Sequence, residues 1–139
     1  MKLEDKGPIK PPPVLSKFPQ QVSKEIQSWK EIIAATHWNL YDRKEIDGAD
    51  FYIGEEELGH IHLDGEVHLA TGRELAAELL KRKLAKKFRY GNDWVTTLIE
   101  SDKDITHAIW LFELNYKRIK GETIGKLILE MDRINGTKN

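Results

Sequence analysis

Apolar residues switch between helical and strand spacing along the chain, and each switch marks an element. Val22, Ile26, Trp29, Ile32 and Ile33 recur every three or four residues, which predicts a first helix from about Pro19 to Ala35 with one buried stripe. From Trp38 to Ala70 the period falls to two, with turn signals at Asp47-Gly48, Gly54-Glu55 and Asp64-Gly65. This stretch reads as a meander of three or four antiparallel strands. Thr71-Gly72-Arg73-Glu74 has the form of a capping box and opens a helix to about Leu84, with Leu75, Leu79, Leu80 and Leu84 inward. Phe88 to Tyr90 and Trp94 to Ile99 predict a second hairpin about Gly91-Asn92. Ser101 to Asp104 then starts a long amphipathic helix carrying Ile105, Ile109, Phe112, Tyr116 and Ile119, which Gly121 ends. A last helix from about Glu122 to Ile134 carries Ile124, Leu127, Ile128 and Met131. The order α-β-β-β-α-β-β-α-α, with strands joined as hairpins, predicts one α+β domain: an antiparallel sheet of four to six strands packed by helices.

Residues 1–17 stand apart. Pro8, Pro11, Pro12 and Pro13 forbid a helix there and favour extended backbone. The expected layout is a loosely ordered or draped leader over 1–17, a domain over 18–135 and a tail over 136–139. A proline-motif docking segment is the alternative for the leader.

The densest chemistry lies in Gly59-His60-Ile61-His62-Leu63-Asp64-Gly65-Glu66-Val67-His68-Leu69, where three of the five histidines fall within nine residues. The turn decides which side chains share a face. A two-residue turn at Asp64-Gly65 sets His68 opposite His60 and His62. A three-residue loop, with Gly65 in the left-handed region, pairs His62 with Glu66. His60, His62, Glu66 and His68 then share one face, and Ile61, Val67 and Leu69 the other. The second register is preferred because it separates polar from apolar residues.

Composition narrows the classes. Length fits one domain. Lys plus Arg is 22 against 23 for Asp plus Glu, so no global charge field points to a nucleic-acid coat. Without cysteine there is no disulfide, thiolate nucleophile or Cys-ligated zinc, which fits a cytoplasmic setting. No run has the length of a membrane span, and Met1 to Lys6 lacks the apolar core of a signal peptide. Gly121 to Lys126 is too short for a P-loop, and no other standard catalytic signature is present. Catalytic residues stay unassigned.

The run from Leu58 to Gly65, with Leu69 after it, resembles the motif of the luciferase-domain family. Asp93 to Thr96 and Ala108 to Arg118 look like that family's closing strand and helix, so the resemblance spans about residues 25–119. It implies no reaction, cofactor or partner, and a chain of this length is far below the ~250 residues of a luciferase barrel. Two positions depart from the family pattern: His68 stands where the family tends to have Asp, and Phe88 lies near a position where it tends to have His. A more remote similarity links Trp94 to Ile119 with YjbR-type small α+β domains.

Three functional readings stay open at this point. The first is a cytoplasmic binding or regulatory module, for a small ligand or a protein, centred on the face of His60, His62, Glu66 and His68. The second is a small metal-dependent enzyme using His60, His62 and His68 as ligands of a divalent ion, with Glu66 or Glu57 as base. The third, for which nucleic acid is the less favoured partner, is an adaptor using the basic residues Lys81, Arg82, Lys83, Lys86, Lys87 and Arg89 beside Phe88 and Tyr90. The plain alternatives are a polar sheet face and a solvated helix. Glu55-Glu56-Glu57 reads as a solvated turn.

Overall fold

The structure, a computed structural model, describes residues 1–137, with side chains described as far as Ile134. A single 3-10 turn at Leu3–Lys6 precedes α1 (Lys17–Gln27), β1 (Ile32–Trp38), β2 (Ile46–Ile53), β3 (Glu56–His62), β4 (Glu66–Leu69), α2 (Gly72–Lys81), β5 (Lys86–Lys87), β6 (Val95–Leu98), α3 (Asp102–Ile119) and α4 (Ile124–Thr137). The six strands form one sheet in the order β1-β2-β3-β4-β6-β5, every pairing antiparallel. The α+β class and strand number agree with the sequence pattern.

One face of the sheet is covered by helices. Val22 and Ile26 of α1 and Leu111, Phe112 and Leu114 of α3 are fully buried with Ala49, Phe51, Ile61, Val67, Leu69 and Val95 from the strands. Phe112 meets Phe51 edge-on at 5.8 Å. Asn115, also buried, donates from Nδ2 to the carbonyls of Leu58 (2.8 Å) and Ala70 (3.0 Å), so α3 is bonded to backbone that begins in β3 and follows β4. Trp29 and Ile109 pack against this core but are only partly buried. Ile109→Ala is therefore expected to cost about 2 kcal/mol, the low end for a large-to-small change, as read by urea denaturation.

Several boundaries differ from the pattern. The first helix stops at Gln27, and Ile32 begins β1, with Glu31 between them at φ +68°. Ile32 and Ile33 fall in step with the helical stripe, yet they and Thr36 are β-branched and belong to a strand that pairs with β2 along its length. Asp47-Gly48 is not a turn, because β2 runs through it. The chain reverses earlier, where Asn39 Oδ1 accepts the N–H groups of Tyr41 and Asp42. The Thr71 capping box does not form: the Thr71 hydroxyl bonds the Gly72 carbonyl at 3.0 Å instead. The second hairpin pairs Lys86-Lys87 rather than Phe88 to Tyr90, which leaves Phe88 outside the ladder.

The N-terminal residues run along the outer edge of β1 and cover part of the opposite face of the sheet. The Thr36 N–H donates to the Lys10 carbonyl (2.8 Å) and its hydroxyl to that of Pro11 (2.7 Å). Trp38 Nε1 donates to the Pro8 carbonyl at 2.9 Å. Leu3 forms a small second apolar cluster with Ala35 and Tyr52. Of the tail expected over 136–139, residues 138–139 lie outside the described residues. Among the described residues, no helix is long and apolar enough to cross a membrane.

Candidate functional site

The histidines meet because of strand register. In one row across the sheet Asp50 pairs with His60, His60 with His68, His68 with Thr96 and Thr96 with Lys86. In the next row Gly48 sits between His37 and His62. The β3–β4 connection is the three-residue loop: Gly65, at φ +93°, donates its N–H to the His62 carbonyl at 2.9 Å. His60, His62, Glu66 and His68 thus share a face, and Ile61, Val67 and Leu69 are fully buried on the other. Gly48 matters by what it lacks. A Cβ there would lie 2.0 Å from the Ile61 carbonyl oxygen. With no side chain between them, the His37 and His62 rings approach edge-on at 5.1 Å.

A β-bulge adds a group that strict alternation would exclude. Phe51 pairs with Gly59 and Tyr52 with Glu57, so Leu58 is the extra residue. The bulge shifts the phase by one residue. Leu58 is fully buried, and the Glu57 carboxylate reaches His60. The expectation that Glu55-Glu56-Glu57 is a solvated turn is therefore wrong for Glu57, which is 9% exposed.

Each hairpin histidine places one ring nitrogen on a carboxylate. His60 Nδ1 lies 2.8 Å from Glu57 Oε2, His62 Nδ1 3.0 Å from Asp47 Oδ2, and His68 Nε2 2.8 Å from Glu66 Oε1. The remaining nitrogens of His60 and His62 both face His68: His60 Nε2 is 3.1 Å and His62 Nε2 3.2 Å from His68 Nδ1. The three rings cross at 69–80° to one another. An ionised carboxylate only accepts, so each outward nitrogen carries a proton, and the inward nitrogen of a neutral ring is then a lone pair. Burial pushes His60 down to about 3, against its hydrogen bond to Glu57. Burial, then the neighbouring His68, lowers His62 below its ordinary value. Burial thus disfavours a proton on His60 and His62, whose Nε2 atoms both turn toward His68 Nδ1 at hydrogen-bond distance, an arrangement compatible with one shared cation, a proton or a metal ion.

Two further groups surround this triad. His37, absent from the sequence-based candidates, stacks on His60 with ring centroids 4.0 Å apart and planes 11° from parallel. Its Nδ1 is 2.7 Å from Asp50 Oδ1. The ligand atoms of His37, His60 and His62 lie within 4.8 Å of one another. Stacked rings cannot both hold one ion in their planes, so His37 in this position buttresses His60. Asp50, Glu57 and His60 make a second close group, but Lys6 already fills it. Its Nζ lies 2.8 Å from Glu57 Oε1 and 3.2 Å from Asp50 Oδ1. Burial alone would lower Lys6; Glu57 and Asp50 outweigh it and raise it above its ordinary value. Burial works to raise Glu57, while the His60 hydrogen bond and the Lys6 charge hold it at about 2. Glu57 and Glu66, the two carboxylates considered as bases, are both engaged with ring nitrogens.

Aromatic residues wall the other side. Phe88 meets His68 edge-on at 5.0 Å, and Trp94 lies 5.6 Å from His60. A cleft of about 410 Å³ opens over His62 and His68, bounded also by Asp64, Glu66, Lys87, Phe88, Arg89, Tyr90 and Thr96. The basic run does not act as one surface. Arg82 is held by Glu78 and Asp132 at 2.6 Å each. Lys81 and Lys83 are exposed near the end of α2, while Lys86, Lys87 and Arg89 are exposed beside the cleft.

Comparison with known families matches residues 55–115 to the model of the Luciferase domain, in agreement with the resemblance read from the Leu58–Gly65 motif. The matched segment contains His60, His62, Glu66, His68, Phe88 and Trp94, but not His37, Asp47, Asp50 or Lys6. No curated protein and no solved structure matches the chain.

Proposed function

We propose that the protein is a divalent-metal-binding domain in which His60 Nε2, His62 Nε2 and His68 Nδ1 hold one ion of the zinc class. The observation that carries this reading is the pair of inward contacts, 3.1 and 3.2 Å between ring nitrogens. Tetrahedral zinc at 2.0–2.1 Å from its ligands sets their nitrogens about 3.3–3.4 Å apart, which the two separations to His68 approach. His60, His62 and His68 are not among the groups whose ligand atoms all lie within 4.8 Å of one another, so His60 and His62 would draw together around the ion. The carboxylates on the outward nitrogens fit the same reading. Such partners fix ring orientation and tautomer and make an imidazole a better ligand. Three imidazoles leave a fourth position, and the cleft over His62 and His68 gives it access to solvent. In this reading the ion is a Lewis acid that a ligand can reach, not a closed structural staple.

The test uses untagged protein stripped with a chelator and titrated with zinc. One zinc per chain is expected, and the melting temperature should rise with the logarithm of free zinc, because the ion binds only the folded state. The double variant His60→Ala/His62→Ala should abolish the rise. His37→Ala should keep one zinc per chain. If zinc, nickel, manganese and iron(II) all leave the melting temperature unmoved, the reading fails.

A further inference from the structure

We propose that the cleft over His62 and His68 binds a small organic oxyanion, a carboxylate or phosphate on a flat apolar body, whose oxygen completes the coordination of the metal. This rests on the metal-binding reading and adds the ligand class. The cleft, about 410 Å³, suits a small molecule. Its acidic residues are already engaged. Asp64 Oδ1 accepts the Glu66 N–H at 2.9 Å, and Glu66 Oε1 holds His68 Nε2 at 2.8 Å.

Its basic residues are not engaged in this way. Lys87 and Arg89 line the cleft, and Lys86 is in register with Thr96 on the same sheet face. None of the three has a carboxylate partner among the described residues; Arg89 only lies over the Tyr90 ring at 5.9 Å. Arg82, Lys117, Arg118 and Lys120 have carboxylate partners, whereas Lys81 and Lys83, like the three at the cleft, have none among the described residues. Within the lining Lys87 and Arg89 balance Asp64 and Glu66, and a bound divalent ion makes the sum positive.

The aromatic wall supplies the other half of the ligand. Phe88 and Tyr90 meet edge-to-face at 5.7 Å, and Tyr90 is 76% exposed. They are packed into no core, and a flat ring laid against them would bury apolar surface. An oxyanion on such a ring meets the cations and the metal together. A cationic ligand meets both with the wrong sign.

The experiment uses the full chain loaded with cobalt(II), whose visible absorption reports its coordination. Benzoate, phenyl phosphate and benzyl alcohol are titrated separately. One or both oxyanions should change the cobalt spectrum and saturate, and benzyl alcohol should not. The tighter of the two identifies carboxylate or phosphate as the source. Lys87→Glu/Arg89→Glu should weaken the oxyanion by roughly tenfold or more, about 1.4 kcal/mol, with cobalt stoichiometry unchanged. Equal binding of benzyl alcohol, no oxyanion binding at millimolar concentration, or an indifferent double variant overturns the proposal. Failure to bind cobalt or zinc at all overturns the metal reading separately. Calorimetry of the metal-free chain with benzoate and phenyl phosphate then decides the cleft: heat lost on charge reversal retains it as an oxyanion site, and no heat removes it.

Discussion

Lys6→Met should cost the fold about 3–5 kcal/mol, the loss seen when one partner of a buried ion pair is removed. Lys6 is 8% exposed, Glu57 9% and Asp50 0%, so neither carboxylate can recover its hydration when the ammonium goes. Asp50 is the more vulnerable, because its Oδ2 has no hydrogen-bond partner among the described residues. The Lys6 ammonium also lies 5.1 Å from the Tyr52 ring centroid, a contact that methionine would not replace electrostatically. Urea denaturation of the metal-free protein measures the loss. Adding Glu57→Gln to Lys6→Met should recover part of it, since one of the two stranded charges is removed. An unchanged urea midpoint for Lys6→Met would mean that residues 1–16 do not hold the ammonium in the sheet face.

Acid should destabilise the metal-free protein over a window set by His60 and Glu57. His60 falls from its ordinary 6.5 to about 3, chiefly through burial. The unfolded chain therefore takes up a proton below about 6.5 that the folded chain refuses, and stability drops as pH falls through that range. Glu57 falls from its ordinary 4.5 to about 2, the His60 hydrogen bond and Lys6 outweighing its burial. Its contribution is complete above 4.5 and is lost as pH falls toward 2, so the two effects have the same sign. Together they amount to a loss of several kcal/mol between about pH 6 and pH 3, measured as a falling urea midpoint. His60→Gln should flatten the upper part of that curve. A wild-type midpoint constant from pH 7 to pH 4 would contradict the buried, neutral His60. Saturating zinc should steepen the acid dependence, because protons and metal compete for the same ring nitrogens.

The sequence by itself determined the parts that rest on short-range physics. Period-2 spacing about Asp64-Gly65, with a glycine able to take φ +93°, was enough to choose the loop that puts His60, His62, Glu66 and His68 on one face. The alternative register would have put Val67 and Leu69 on the face of His60 and His62, away from Ile61, whereas all three are fully buried on one face. Helical spacing likewise located α3 and α4, where a long apolar stripe leaves little choice. Only tertiary structure brought in His37, Asp47, Asp50 and Lys6, and placed Glu57, a candidate base in the sequence, on His60. Ile32 and Ile33 fit a helix or a strand, and their pairing with β2 decided for the strand that carries His37. Glu57 shows why alternation fails locally: the bulge at Leu58 turns it toward His60, and a bulge is set by how β2 and β3 pair rather than by β3 alone. Lys6 lies 44 residues from Asp50 and 51 from Glu57. No local spacing rule spans such a separation. Its place is fixed by the cost of leaving two buried carboxylates without a cation.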